Sequence, residues 1–65
     1  MLNISIGQKA VVIENGEEEL LLHKFEIGEV VEFVGYDEEN GRLEYMFKNS
    51  DELIQYLLEE DFELL

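Results

Sequence analysis

Cysteine, proline and tryptophan are absent from this chain of 65 residues, and histidine occurs once, at position 23. Without cysteine no disulfide can form, and a single imidazole cannot assemble a Cys/His metal site, so two common braces of very small domains are excluded. Cations are scarce as well: four Lys+Arg stand against 17 Asp+Glu, a formal net charge of −13. A field of that sign repels phosphate backbones and anionic lipid headgroups, which argues against direct nucleic-acid or membrane binding and in favour of basic partners. Long apolar runs are missing too. Met1 to Ile6 has neither the basic start nor the apolar stretch of a secretory signal, and no run approaches bilayer length, so the expected location is the cytoplasm. The five glycines form neither a G-x-G-x-x-G nor a P-loop, which leaves phosphate cradling without support.

What remains is an apolar fraction of 46%, enough for one thin core and too much for intrinsic disorder. A chain this short buries only roughly 60% of the surface its unfolded form exposes, so residues 1–65 are read as a single small domain stabilised by packing alone.

Along the chain, Gly7 to Glu14 combines β-branched residues with a following Asn15-Gly16 turn and reads as a strand. Ala10 and Val12 share one face, Val11 and Ile13 the other, and both faces are apolar, so cover on both sides is expected. Asn15 to Lys24 reads as a long, partly extended loop. In Phe25 to Val34, Gly28 marks a bend and Val31 and Phe33 alternate with Glu32. Gly35 to Gly41 is rich in turn residues, with Asn40-Gly41 supplying the positive-φ pair of a tight hairpin. Beyond it Leu43, Tyr45 and Phe47 fall on one face of a strand and are expected in the core. The final segment from Asp51 is ambiguous: Leu53/Leu57 and Ile54/Leu58 recur at helical spacing, with Ser50 as a possible cap, yet the same residues also fit a strand, a tight turn at 59–61 and a closing strand.

The run Phe25-Glu26-Ile27-Gly28-Glu29-Val30-Val31-Glu32-Phe33-Val34 resembles the diverging turn and following strand of SH3-like barrels, where an aromatic, two spacers and Gly-Glu precede alternating core residues. That run, the Asn-Gly hairpin and the terminal Glu60-Asp61-Phe62-Glu63 together also resemble small barrel proteins encoded by bacteriophages and prophages of Gram-positive bacteria. The resemblance implies an all-β fold, a five-stranded SH3-like barrel over residues 7–64. In that fold Asn49 to Glu52 is the distal turn, Leu53 to Leu58 the fourth strand, 59–61 a 3₁₀ turn, and Phe62 to Leu64 the closing strand. The alternative from local propensity is α+β, an antiparallel sheet with a carboxyl-terminal helix from Asp51. Polyproline binding is not implied: Ala10 to Glu14 carries none of the aromatics of the peptide-binding members, tryptophan is absent, and Glu60-Asp61-Phe62 replaces the usual Pro and Tyr.

Candidate chemistry is thin. His23 as a general base would need a nucleophile or an orienting acid, and although Glu17 to Glu19 and Glu26 are available by sequence it reads as a structural or exposed loop residue; Ser5 and Ser50 lie in no nucleophile elbow. The carboxylate runs Glu17 to Glu19, Asp37 to Glu39 and Glu59 to Asp61 lack EF-hand spacing and read as solvated surface, so no metal, cofactor or catalysis is expected. The charge itself is the clue, since seventeen carboxylates on so small a domain exceed what solubility asks for. The expected role is a protein-interaction module binding a basic surface on a host or phage protein through Glu17, Glu18, Glu19, Tyr36, Asp37, Glu38 and Glu39. Two alternatives stand beside it: an inhibitor that imitates the phosphates of DNA, and a subunit of a phage assembly forming homo-oligomers through strand edges.

Overall fold

The computed structural model describes residues 3–14 and 24–65. They form one antiparallel sheet of five strands: β1 (Lys9–Val12), β2 (Val30–Glu39), β3 (Arg42–Lys48), β4 (Ile54–Leu57) and β5 (Phe62–Leu64), in the spatial order β4-β3-β2-β1-β5. A single 3₁₀ turn, Glu59–Asp61, precedes β5. The only helical element among the described residues is thus three residues long, and none is long and apolar enough to cross a membrane.

Period-two patterning builds the core. Ala10 and Val12 of β1, Val31 and Phe33 of β2, Tyr45 and Phe47 of β3, Leu57 of β4 and Phe62 of β5 all turn to one side of the sheet and are buried, with Phe25 joining them from outside the strands. The expected core residues Tyr45 and Phe47 are fully enclosed, while Leu43 is partly buried at the margin. Cover on both sides of β1 does not materialise: Val11 is half-buried and Ile13 is exposed, because the sheet packs a core against one face only.

The sheet curls strongly. β3 and β5 are three strand positions apart, about 14 Å in a flat sheet, yet the Phe47 and Phe62 ring centroids lie 4.6 Å apart and those of Tyr45 and Phe62 5.4 Å apart. β3 and β5 therefore face each other across one aromatic core. The expected barrel is corrected in one respect: the sheet is not closed, and β4 and β5 remain as edges with no pairing between them.

Two further expectations change. The turn-rich segment from Gly35 continues as strand to Glu39, so that β2 has ten residues and the turn shrinks to Asn40 (φ 52°) and Gly41 (φ 79°). Pairing with β3 down to Glu39↔Arg42 outweighs the weak strand propensity of the acidic residues. The alternative helix from Asp51 is absent: Ile54–Leu57 pairs with β3, and Leu57 is fully buried against the core, a pairing that helical spacing within the segment cannot register.

A bulge in β2 determines which side chains face where. The register with β3 runs Phe33↔Phe47 and then Gly35↔Met46, leaving Val34 as an extra residue. Alternation is thereby reset. Without the bulge, Gly35 and Asp37 would follow Phe33 onto the core side; with it, Tyr36 does, and the Phe33 and Tyr36 rings stack at 6.3 Å. Glycine suits the position, since a Cβ there would sit 3.1 Å from Met46 Cε.

Candidate functional site

Beyond the bulge, β2 and β3 leave the core as a two-stranded ribbon tipped by Asn40-Gly41. It carries the predicted residues Tyr36, Asp37, Glu38 and Glu39, all exposed. Asp37 lies opposite Glu44 and Glu39 opposite Arg42 on one face of the ribbon; Tyr36 lies opposite Tyr45 and Glu38 opposite Leu43 on the other. The three consecutive carboxylates are thus divided two to one between opposite faces and form no single cluster.

Arg42 is the only basic residue from Tyr36 to Phe47. Its Nη2 and Nε donate to Glu44 Oε2 at 2.7 and 3.1 Å, and the Glu44 side chain is 8% exposed. The cation is therefore engaged with a carboxylate already withdrawn from solvent, which otherwise would be buried unpaired at considerable cost. Among the described residues none of Asp37, Glu38 and Glu39 enters an ion pair; Asp37 Oδ1 accepts only the Glu38 N–H, at 2.9 Å.

The 3₁₀ turn brings more negative charge to the same end of the molecule. Gly41, Arg42 and Leu43 face Leu58, Glu59 and Glu60 across an open groove of about 350 Å³. Glu59 and Glu60 are exposed there, whereas Asp61 turns inward and is 1% exposed. The reading of all three as solvated surface is corrected for Asp61. Its Oδ2 accepts the Leu58 N–H at 3.1 Å, and its carbonyl accepts the N–H groups of Ile13 and Glu14 at 2.9 and 3.3 Å, which ties the turn to the end of β1. Glu59 and Glu60 were recognisable in the sequence as an acidic run, but their place opposite the hairpin depends on the curl of the sheet.

Three other cations remain. Lys24 precedes Phe25, its main-chain N–H donating to Gln55 Oε1 of β4 at 3.1 Å. Lys9, Glu32 and Lys48 form a row across β1, β2 and β3, with Lys9 Nζ 3.2 Å from Glu32 Oε1. Five residues of strand separate Glu32 from Asp37, about 15 Å at the usual rise, beyond the Debye length of about 8 Å at physiological salt. The lysine row therefore does not neutralise the ribbon. Glu17, Glu18, Glu19 and His23 lie outside the described residues.

Chemically, this end of the molecule offers carboxylates with free lone pairs for ammonium or guanidinium groups, and in Tyr36 an exposed ring able to receive a cation on its face. Among the described residues no group of His, Asp or Glu is arranged to hold a metal ion. Comparison with protein-family models, with curated proteins and with solved structures finds no match.

Proposed function

We propose that the chain is a small SH3-like interaction module whose acidic ribbon engages a basic surface of a partner protein. Three features support the fold part of this reading: β1 is shared between β2 and β5, a one-turn 3₁₀ segment precedes the last strand, and the curled sheet wraps a single aromatic core. The resemblance to phage-encoded barrels adds the expectation that the partner is a host or phage protein.

The observation that carries the functional part is the mismatch of charge at one end. Asp37, Glu38, Glu39, Glu59 and Glu60 are exposed around a single arginine that is already bonded to Glu44. Repulsion among them costs stability in the free protein, and a cationic partner relieves it on binding.

The test is capture of partners from a bacterial lysate at low salt, with elution by a salt gradient. Two variants of equal net charge are compared: Asp37→Lys with Glu39→Lys, and Glu26→Lys with Glu63→Lys. The ribbon variant is expected to release the partner at lower salt than the remote one. Equal release would show that net charge alone acts and would remove the ribbon as the site. Displacement of the partner by duplex DNA would favour imitation of nucleic acid instead.

A further inference from the structure

The edge strand β4 differs from every other charged or paired stretch of this surface. Its four residues, Ile54-Gln55-Tyr56-Leu57, carry no charge, and Ile54 and Tyr56 are 49% and 38% exposed on the face away from the core. Among the described residues β4 ends the sheet order, so one side of its main chain has no neighbouring strand there; the Lys24 N–H reaches only the Gln55 side chain, donating to its Oε1 at 3.1 Å.

The hydrogen-bond phase identifies which groups face outward. Antiparallel pairs alternate between those that exchange hydrogen bonds and those that do not. The Asn49 N–H donates to the Leu53 carbonyl at 3.1 Å, which fixes Asn49 and Leu53 as a bonded pair. With the register Phe47↔Gln55 and Tyr45↔Leu57, those pairs are bonded as well, and the main-chain groups of Ile54 and Tyr56 point off the sheet. The Ile54 carbonyl is capped by Gln55 Nε2 at 2.8 Å. Among the described residues the Ile54 N–H and both Tyr56 main-chain groups are left to receive a strand.

Exposed edges in stable proteins usually carry a lysine, a proline or a bulge that discourages pairing. β4 has none of these, and its protection is external: Asp51 and Glu52 precede it, and Glu59 and Glu60 follow it. A second copy of this chain would bring the same carboxylates and a net charge of −13 to the contact, so self-pairing is opposed. An extended segment with apolar or β-branched residues in its middle and Lys or Arg at both ends meets no such opposition.

We infer that β4 is a strand-addition site that accepts an extended, basic-ended segment of a partner protein as a sixth strand beside Ile54 and Tyr56. Main-chain bonds supply the pairing, the Ile54 and Tyr56 side chains receive alternate residues of the added strand, and the flanking carboxylates choose the charge of its ends. This rests on the proposed basic partner only for those ends; the edge itself is independent of the β2–β3 ribbon.

The probe is a synthetic peptide, acetyl-Lys-Val-Thr-Val-Thr-Val-Lys-amide, titrated into the full chain with amide NMR and hydrogen exchange as readouts. The expected result is a shift and slowed exchange at Ile54 and Tyr56, and roughly tenfold weaker binding when alternate peptide nitrogens of the probe are N-methylated, since that removes the ladder donors. Tyr56→Pro, which removes an outward N–H while sparing the bonds to β3, is expected to weaken binding likewise. The N-methylated probe makes the same test on the unaltered protein should that variant fail to fold. Shifts confined to Tyr36 to Glu39, an N-methylated probe that binds as well as its parent, an absence of binding at millimolar probe, or pairing of β4 with a second copy would each overturn the inference. The Asp37/Glu39 double variant leaves this titration unchanged, so loss of the ribbon reading and loss of this one are separate results.

Discussion

At the scale of single residues, Asp61 shows how one carboxylate in a chain of seventeen acids is spent on structure. Its side chain is enclosed and bonded to the Leu58 N–H, and Leu58 is itself buried. Removing the acceptor strands that donor away from water, a loss of about 1–3 kcal/mol. Asp61→Ala is therefore expected to lower the urea midpoint by that amount of stability, and Asp61→Asn, which keeps an oxygen in place, by less. Identical midpoints for Asp61→Ala and the parent would mean that water reaches the Leu58 N–H. Sequence position gave no hint of this division of labour, because Glu59, Glu60 and Asp61 are chemically alike until the 3₁₀ turn sends only the third inward.

At the scale of elements, the β3–β4 hairpin turns through Asn49 to Glu52. The Glu52 N–H donates to the Asn49 carbonyl at 3.0 Å, and Asn49 Oδ1 accepts from Asp51 and Leu53 at 3.0 Å each. Asn49 Nδ2 in turn donates to Glu29 Oε2 at 2.9 Å, which fastens this turn to the bend before β2. The turn closes with Glu52 in the left-handed region at φ 63°, a place where glycine is usual in three-residue hairpin loops. A side chain there costs about 1–2 kcal/mol. Glu52→Gly is expected to stabilise the protein by roughly 1 kcal/mol, part of the gain being offset by the greater freedom of glycine in the unfolded chain. Thermal unfolding checks it, and a lower melting temperature for the variant would show that the Glu52 side chain makes a contribution larger than its strain. The turn at Asn49 to Glu52 and the strand after it were both expected from the resemblance to SH3-like barrels and not from local pattern, since Ser50 also fits a helix cap and Leu53, Ile54, Leu57 and Leu58 satisfy helical spacing equally well.

At the scale of the whole molecule, charge and packing oppose each other. Ten apolar side chains are buried among the described residues of a chain without cysteine, and the protein carries a net charge of −13 with cations sparse and partly paired. Raising salt from 10 to 150 mM shortens the Debye length from about 30 to about 8 Å, which weakens repulsion across the whole molecule. Potassium chloride is therefore expected to raise the melting temperature, by about 4–8 °C for each kcal/mol of repulsion relieved. A flat response would mean that the carboxylates are compensated locally, and the cation-seeking surface would lose its driving force.

Composition and alternation by themselves determined the acidic charge, the Asn40-Gly41 hairpin and the enclosure of Val31, Phe33, Tyr45 and Phe47, because side-chain period and turn chemistry are local properties of the chain. Only the tertiary structure decided that Val34 bulges and puts Tyr36 and Asp37 on opposite faces of the ribbon, that Asp61 is buried while Glu59 and Glu60 face the hairpin, and that β4 ends the sheet among the described residues. Each of those depends on a neighbour far away in sequence. A main-chain ladder and a curled sheet assign faces and partners that a linear pattern of apolar residues leaves open.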